Sequence, residues 1–312
     1  MTMTFILLAV SLVLLVYGAD KLVDGASAIA RRAGISEFVI GLTIIGFGTS
    51  CPELVVSLTG AVEGLSDVAV GNVLGSNIFN ALLILGLTAV LSPIAITRSN
   101  KRADIPVCIA VTALLCIFLI VGQISRIAGI GFLLIFAGYM VFCFRAGKTD
   151  DDTESGEQEE PMKLSAAIFW TIFGLVCLIF CGSKFVDCSV EIARHFGISE
   201  KFIAITLLAG GTSLPELVTC IIAAAKHKGQ LALGNILGSN VFNILLILGC
   251  SAIVSPIDCS SINWVDTSVL MLSALLVLTA ARTGKKDVMD RFDGAVMLLC
   301  EALYMTWLII SL

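Results

Sequence analysis

Residues 43–57 read TIIGFGTSCPELVVS, and residues 206–220 read TLLAGGTSLPELVTC. Residues 71–80 read GNVLGSNIFN, and residues 234–243 read GNILGSNVFN. Both pairs are offset by 163 positions. The same offset lays Lys21 on Lys184, Asp24 on Asp187 and Ser92-Pro93 on Ser255-Pro256, without a gap over about 75 residues. Chance likeness between two apolar segments would not reproduce Thr-Ser-x-Pro-Glu and Gly-Ser-Asn together at one spacing. The chain is a duplicated unit.

Composition says what solvent the two units meet. Of 312 residues, 58% are apolar and 14% are charged, and mean hydropathy is +1.02. A soluble domain carries about a quarter charged residues. This chain cannot cover itself with polar groups, so its expected partner is a lipid bilayer. The acid excess is concentrated between Asp150 and Glu160, and the balanced remainder gives no footprint for nucleic acid. The eleven cysteines lie scattered in apolar runs without zinc-ligand spacing and read as buried thiols. The first apolar run, 5–16, has no basic residue before it and no small-residue cleavage site after it, so it reads as a span.

Each half holds five apolar runs of spanning length. In the first they lie near 3–20, 38–61, 67–91, 103–122 and 127–144. In the second they lie near 164–182, 201–225, 230–254, 265–281 and 292–311. The first and sixth continue as amphipathic sequence past Lys21 and Lys184. The expected fold is an all-α polytopic membrane protein of ten transmembrane helices, built as two repeats of five. Residues 1–144 form the first repeat, 145–163 an acidic linker and 164–312 the second repeat. Five spans per unit put the second repeat in the membrane upside down. The basic residues agree: with both termini outside and the linker cytoplasmic, inner loops hold fifteen of the 19, and outer loops hold Arg126, Lys184, Arg194 and Lys201. Inverted repeats of this kind are typical of secondary transporters, with the substrate site at their interface near the midplane.

Glu53 and Glu216 fall near the middle of the second and seventh spans. A carboxylate at the bilayer centre costs at least ~2.5–3.5 kcal/mol, and two at equivalent positions point to a site. Pro52 and Pro215 stand beside them; each removes a helix hydrogen bond and frees a carbonyl, of Gly48 and Gly211. Thr49 and Ser50 precede Glu53 by four and three residues, which places them on its helix face, and Thr212 and Ser213 repeat this before Glu216. On the third and eighth spans Ser76, Asn77 and Asn80, and Ser239, Asn240 and Asn243, cluster likewise. Asn72 and Asn235 read first as interhelical hydrogen-bonding residues. Carboxylate, hydroxyl, amide and carbonyl oxygens are hard donors suited to Ca²⁺ or Na⁺. The two carboxylates neutralise one Ca²⁺, or accept Na⁺ ions or protons. Nothing resembles a nucleophile set, so an enzyme is not expected.

The paired Gly-Thr-Ser-x-Pro-Glu and Gly-Asn-x-x-Gly-Ser-Asn-x-x-Asn motifs resemble the α-repeats of the calcium/cation antiporter superfamily, in particular the prokaryotic sodium/calcium exchangers. The resemblance covers essentially the whole chain. It implies exchange of three Na⁺ for one Ca²⁺, electrogenic Ca²⁺ extrusion by alternating access and a prokaryotic plasma (inner) membrane, with no cofactor and no obligate protein partner. It implies ion sites between the second, third, seventh and eighth helices, and a sliding pair made of the first and sixth. Carried over by position, Glu53, Glu216, Thr49 and Thr212 would bind Ca²⁺. Ser50, Ser213, Ser76 and Ser239, with both glutamates, would bind Na⁺. Gly46 and Ala209 would lend carbonyls to the outlying Na⁺ sites, and Asn80 and Asn243 would line the centre. The alternative left open is Ca²⁺/H⁺ exchange, although both histidines, His195 and His227, lie away from the motifs.

Overall fold

The structure, a computed structural model, describes residues 1–146, 162–197, 210–283 and 287–311. The first repeat begins with α1, Thr2–Ala33. It continues with α2, Glu37–Thr49, and α3, Cys51–Val62, the two arms of one span bent by 46°. Then come α4, Ser66–Leu91, α5, Asn100–Val121, and α6, Arg126–Ala146. The second repeat has α7, Leu164–His195, α8, Leu214–Ala225, and α9, Gly229–Val254. It closes with α10, Trp264–Thr283, and α11, Arg291–Ser311. Among the described residues, eight helices are long and apolar enough to cross a membrane, and α2–α3 makes a ninth span. The helix α8 is the described arm of the tenth, whose preceding stretch 198–209 lies outside the described residues. The chain is an integral membrane protein with the expected inverted-repeat architecture.

Local sequence explains where the helices stop and bend. Gly34 ends α1 in the left-handed conformation, φ 64°, its N–H returning to the carbonyl of Ala30. Ser36 then caps α2 by accepting from the N–H of Val39 at 3.3 Å. Within α4 and α9 the ladder loosens into π turns at Asn80–Ile84 and Phe242–Ile247, equivalent places in the two repeats. Such insertions occur often at functional sites because they re-aim side chains and free carbonyls.

The helices α1 and α7 are 32 residues each, about 48 Å at 1.5 Å per residue, longer than the ~30 Å apolar core of a bilayer. They lie antiparallel along one another. Gly18 meets Cys177, Gly25 meets Ala167 and Thr171, and Thr4 donates to Glu191 at 2.9 Å. Much of this pair faces outward: Val13, Tyr17, Phe169, Ile172 and Phe180 are exposed.

The other helices enclose the buried core. In lipid, helix association relies on close packing and not on exclusion of water. Gly234 and Gly238 of α9 sit directly on the backbone of Phe38 and Leu42 in α2, where a Cβ would collide with their carbonyl oxygens. Two short strand clips join the repeats: β1, Ile94–Ala95, pairs antiparallel with β4, Val288–Met289, and β2, Gln123–Ile124, with β3, Ile257–Asp258.

Candidate functional site: a carboxylate and amide cage between the repeats

Pro52 and its neighbours set the local geometry. At Ser50 the backbone leaves the helical region, φ −82° and ψ 7°, and α3 restarts at Cys51. Ser213 does the same before α8, φ −87° and ψ 8°. Glu53 and Glu216 each fall in the first turn after the break, and both are fully buried.

The break redirects the hydroxyls. An unbroken helix would place Ser50 beside Glu53. Instead Ser50 Oγ donates to Glu216 Oε1 at 3.1 Å, and Ser213 Oγ donates to Glu53 Oε1 at 3.0 Å. Each carboxylate is held by a serine of the opposite repeat. A second serine comes from the third or eighth span of its own repeat: Ser76 Oγ at 3.5 Å from Glu53 Oε1, and Ser239 Oγ at 3.3 Å from Glu216 Oε1. Ser239 Oγ also lies 3.4 Å from the carbonyl of Gly46.

The threonine hydroxyls reach the carboxylates of the opposite repeat, Thr49 toward Glu216 and Thr212 toward Glu53, and they have further partners. Thr49 Oγ1 lies 3.1 Å from the carbonyl of Ile45 and 3.2 Å from Asn235 Oδ1. Thr212 Oγ1 donates to Asn72 Oδ1 at 3.4 Å. Asn72 in turn donates to the carbonyl of Glu53 at 3.1 Å and to Ser57 Oγ at 2.9 Å. The hydroxyls of Thr49 and Thr212 thus tie the carboxylates to Asn235 and Asn72. Ala209 lies outside the described residues.

Asparagines close the layer. Asn80 Nδ2 donates to Asn240 Oδ1 at 3.1 Å, and Asn243 Nδ2 donates to Asn77 Oδ1 at 3.0 Å. Asn72, Asn77, Asn235 and Asn240 are not among the expected ligands, and their part is to hold other groups. The signal for them is present in the sequence, because all four stand in the two matched copies of the motif.

What this network leaves over decides its chemistry. Glu53 Oε2, Glu216 Oε2, Asn80 Oδ1 and Asn243 Oδ1 are buried and receive no hydrogen bond. Each is an acceptor, and they form two symmetry-related pairs. Among the described residues no Lys, Arg or His is buried. A buried unpaired carboxylate costs several kcal/mol. A cation or protons would complete this set.

Comparison with known proteins bears on the chain as a whole. The family model described as "Sodium/calcium exchanger protein" matches residues 3–145 and 166–310. The chain belongs to the sodium/calcium exchanger family. The family is one of membrane transporters and not of enzymes. CaxA of Alkalimonas amylolytica is 41% identical over 308 residues, covering 96% of both chains. The sodium/calcium exchanger MaX1 of Methanosarcina acetivorans is 31% identical, again over 96% of both. The solved structure of the sodium-calcium exchanger NCX_Mj soaked with zero Na⁺ and Ca²⁺ superposes with a TM-score of 0.86 at 30% identity, covering 98% of both chains.

Proposed function

We propose that this exchanger-family protein is a secondary active antiporter that carries Na⁺ and Ca²⁺ in opposite directions, three Na⁺ for one Ca²⁺. The exchange is electrogenic and expels Ca²⁺. The observation that carries this reading is the set of four buried oxygens without a donor, two of them carboxylate oxygens. Glu53 and Glu216 bind Ca²⁺, joined by hydroxyl or carbonyl oxygen of Thr49 and Thr212. Ser50, Ser213, Ser76 and Ser239, with the same carboxylates, hold Na⁺, and the carbonyls of Gly46 and Ala209 complete the outlying sites. Asn80 and Asn243 line the centre. A dry cage of mixed oxygens suits Ca²⁺ better than Mg²⁺, which keeps its waters and demands near-octahedral geometry.

Electrostatics then makes the protein exchange and not leak. Emptied, the site would carry two close negative charges away from water, so the empty carrier rarely occludes. Filled, it is nearly neutral and can cross between access states. The antiparallel α1–α7 pair, packed along itself and exposed to lipid, is the moving part that slides over the site. The protein sits in a prokaryotic inner membrane with both termini outside and the 145–163 linker cytoplasmic, an orientation the basic-residue bias supports.

The test is uptake of radiolabelled Ca²⁺ into proteoliposomes preloaded with Na⁺ at equal pH on both sides. Uptake that needs internal Na⁺ and collapses when the Na⁺ gradient is removed supports the proposal. A second reading, Ca²⁺/H⁺ exchange, draws on the same observation, because protons also neutralise two carboxylates. Uptake indifferent to Na⁺ but driven by an imposed pH gradient would replace the first reading with the second.

A further inference from the structure

An asparagine can turn either its oxygen or its NH₂ toward a neighbour, and only the oxygen binds a cation. We infer that Asn77 and Asn240 are positioning residues that decide this choice for Asn243 and Asn80. The inference rests on reading Glu53, Glu216, Asn80 and Asn243 as the ion cage.

A backbone carbonyl only accepts hydrogen bonds. The atom of Asn77 that lies 3.2 Å from the carbonyl of Asn240 is therefore its Nδ2. The other end of that amide, Asn77 Oδ1, must then face a donor, which is Asn243 Nδ2 at 3.0 Å. With its NH₂ committed, Asn243 is left with Oδ1 buried and unpartnered. The mirror chain runs through the other repeat. Asn240 Nδ2 donates to the carbonyl of Asn77 at 3.4 Å, Asn240 Oδ1 accepts from Asn80 Nδ2 at 3.1 Å, and Asn80 Oδ1 is left free. All four residues are buried, so no bulk water competes for the amides.

The starting points of both chains are main-chain atoms, which cannot flip. The polarity of each cage amide is thus set by the backbone of the two repeats at residues 77 and 240, relayed through one side chain. Without Asn77, the amide of Asn243 has no acceptor for its NH₂ and is free to turn that NH₂ toward the cation. An outer-shell partner of this kind is worth about 10- to 100-fold in metal affinity.

The experiment exploits aspartate, whose two oxygens make orientation irrelevant. Na⁺-dependent Ca²⁺ uptake is measured in proteoliposomes for N77A, N243D and N77A/N243D, and for the mirror set N240A, N80D and N240A/N80D. With Asn243 in place, N77A is expected to raise the half-saturating Ca²⁺ about tenfold or more. In the N243D background the same substitution should not raise it, because an aspartate there has no NH₂ to orient and offers Asn77 Oδ1 no donor. Equal cost in both backgrounds for both sets would overturn the proposal. Loss of folded protein in both N77A and N240A, judged by size-exclusion profile, would assign these residues to packing and overturn it as well. N243A and N80A separate the two readings: if neither alters the Ca²⁺ dependence, the cage assignment has failed, whatever the orienting residues do.

Discussion

Lys226 Nζ lies 2.6 Å from Oδ1 of Asp24, joining the end of α8 to the long helix α1. It also meets Asp20 Oδ1 at 2.6 Å and the Asp20 carbonyl at 3.2 Å, while Lys21 meets Asp20 from the other side at 3.1 Å. Arg32, near the end of α1, bonds the carbonyl of Met162, so this network belongs to the linker face. Across the repeat axis the position equivalent to Lys226 is Glu63, and among the described residues Lys184 pairs with its neighbour Asp187, in the open. The link holds α1 against the core on the linker face.

Removing it should therefore shift the balance between access states. The charges are partly exposed, so about 0.2–1 kcal/mol is at stake, a change of up to roughly fivefold in that ratio. K226M is expected to speed hydrogen exchange at the linker-face end of α1 and to leave the fold intact. D24N should add little once Lys226 is gone. Unchanged exchange in K226M would show that the link does not restrain α1.

Glu53→Gln and Glu216→Gln should each abolish Ca²⁺ transport while the protein still purifies as a folded monodisperse species. Opposite unit charges 4 Å apart attract by about 4 kcal/mol at an effective dielectric of 20, and each variant removes one carboxylate from a divalent cation. Normal uptake by either variant would refute the site assignment.

Gly238→Val should lower the thermal midpoint in detergent. The new side chain would strike the backbone of Leu42, which no rotamer change relieves, and overpacking of this kind costs about 1–3 kcal/mol. A midpoint equal to the parent's would mean that α2 and α9 separate without cost.

Lys228 lies outside the spans, in the turn before α9. Burial holds its pKa below the ordinary 10.5, nearby Glu37 and Asp24 oppose that, and Arg31 and Lys226 add to it. A lysine with a depressed folded pKa binds fewer protons folded than unfolded, so stability should rise with pH between its folded and unfolded values. K228M should flatten that rise. Melting curves from neutral to alkaline pH test both statements.

The duplication, the spans and the two glutamates were legible because they need only apolar run length and a fixed offset. The partners of Ser50 and Ser213 were not. Helical spacing assumes a continuous helix, and the turn at each serine swings its hydroxyl to the opposite repeat. The same limit hid the Asn77 and Asn240 pairing, made 163 residues apart, and the link from Lys226 to Asp20 and Asp24. Contacts between repeats follow from the inverted packing, which sequence periodicity within either one does not encode. Side-chain polarity offered a partial guide: α1 does run on past Lys21 as expected, and the reason is now visible in the ions that its Asp20 and Asp24 engage.

The strand clips carry a further meaning. Ile94–Ala95 of β1 maps by the repeat offset onto Ile257–Asp258 of β3, so the clips β1–β4 and β2–β3 are near-equivalent contacts made once at each end of the molecule. In a dimer of two separate five-helix chains inserted in opposite senses, they would be a single isologous contact formed twice about a two-fold axis. The fused protein keeps the interface of such a homodimer. It follows that either half, expressed as its own polypeptide, retains the edge by which the other would recognise it.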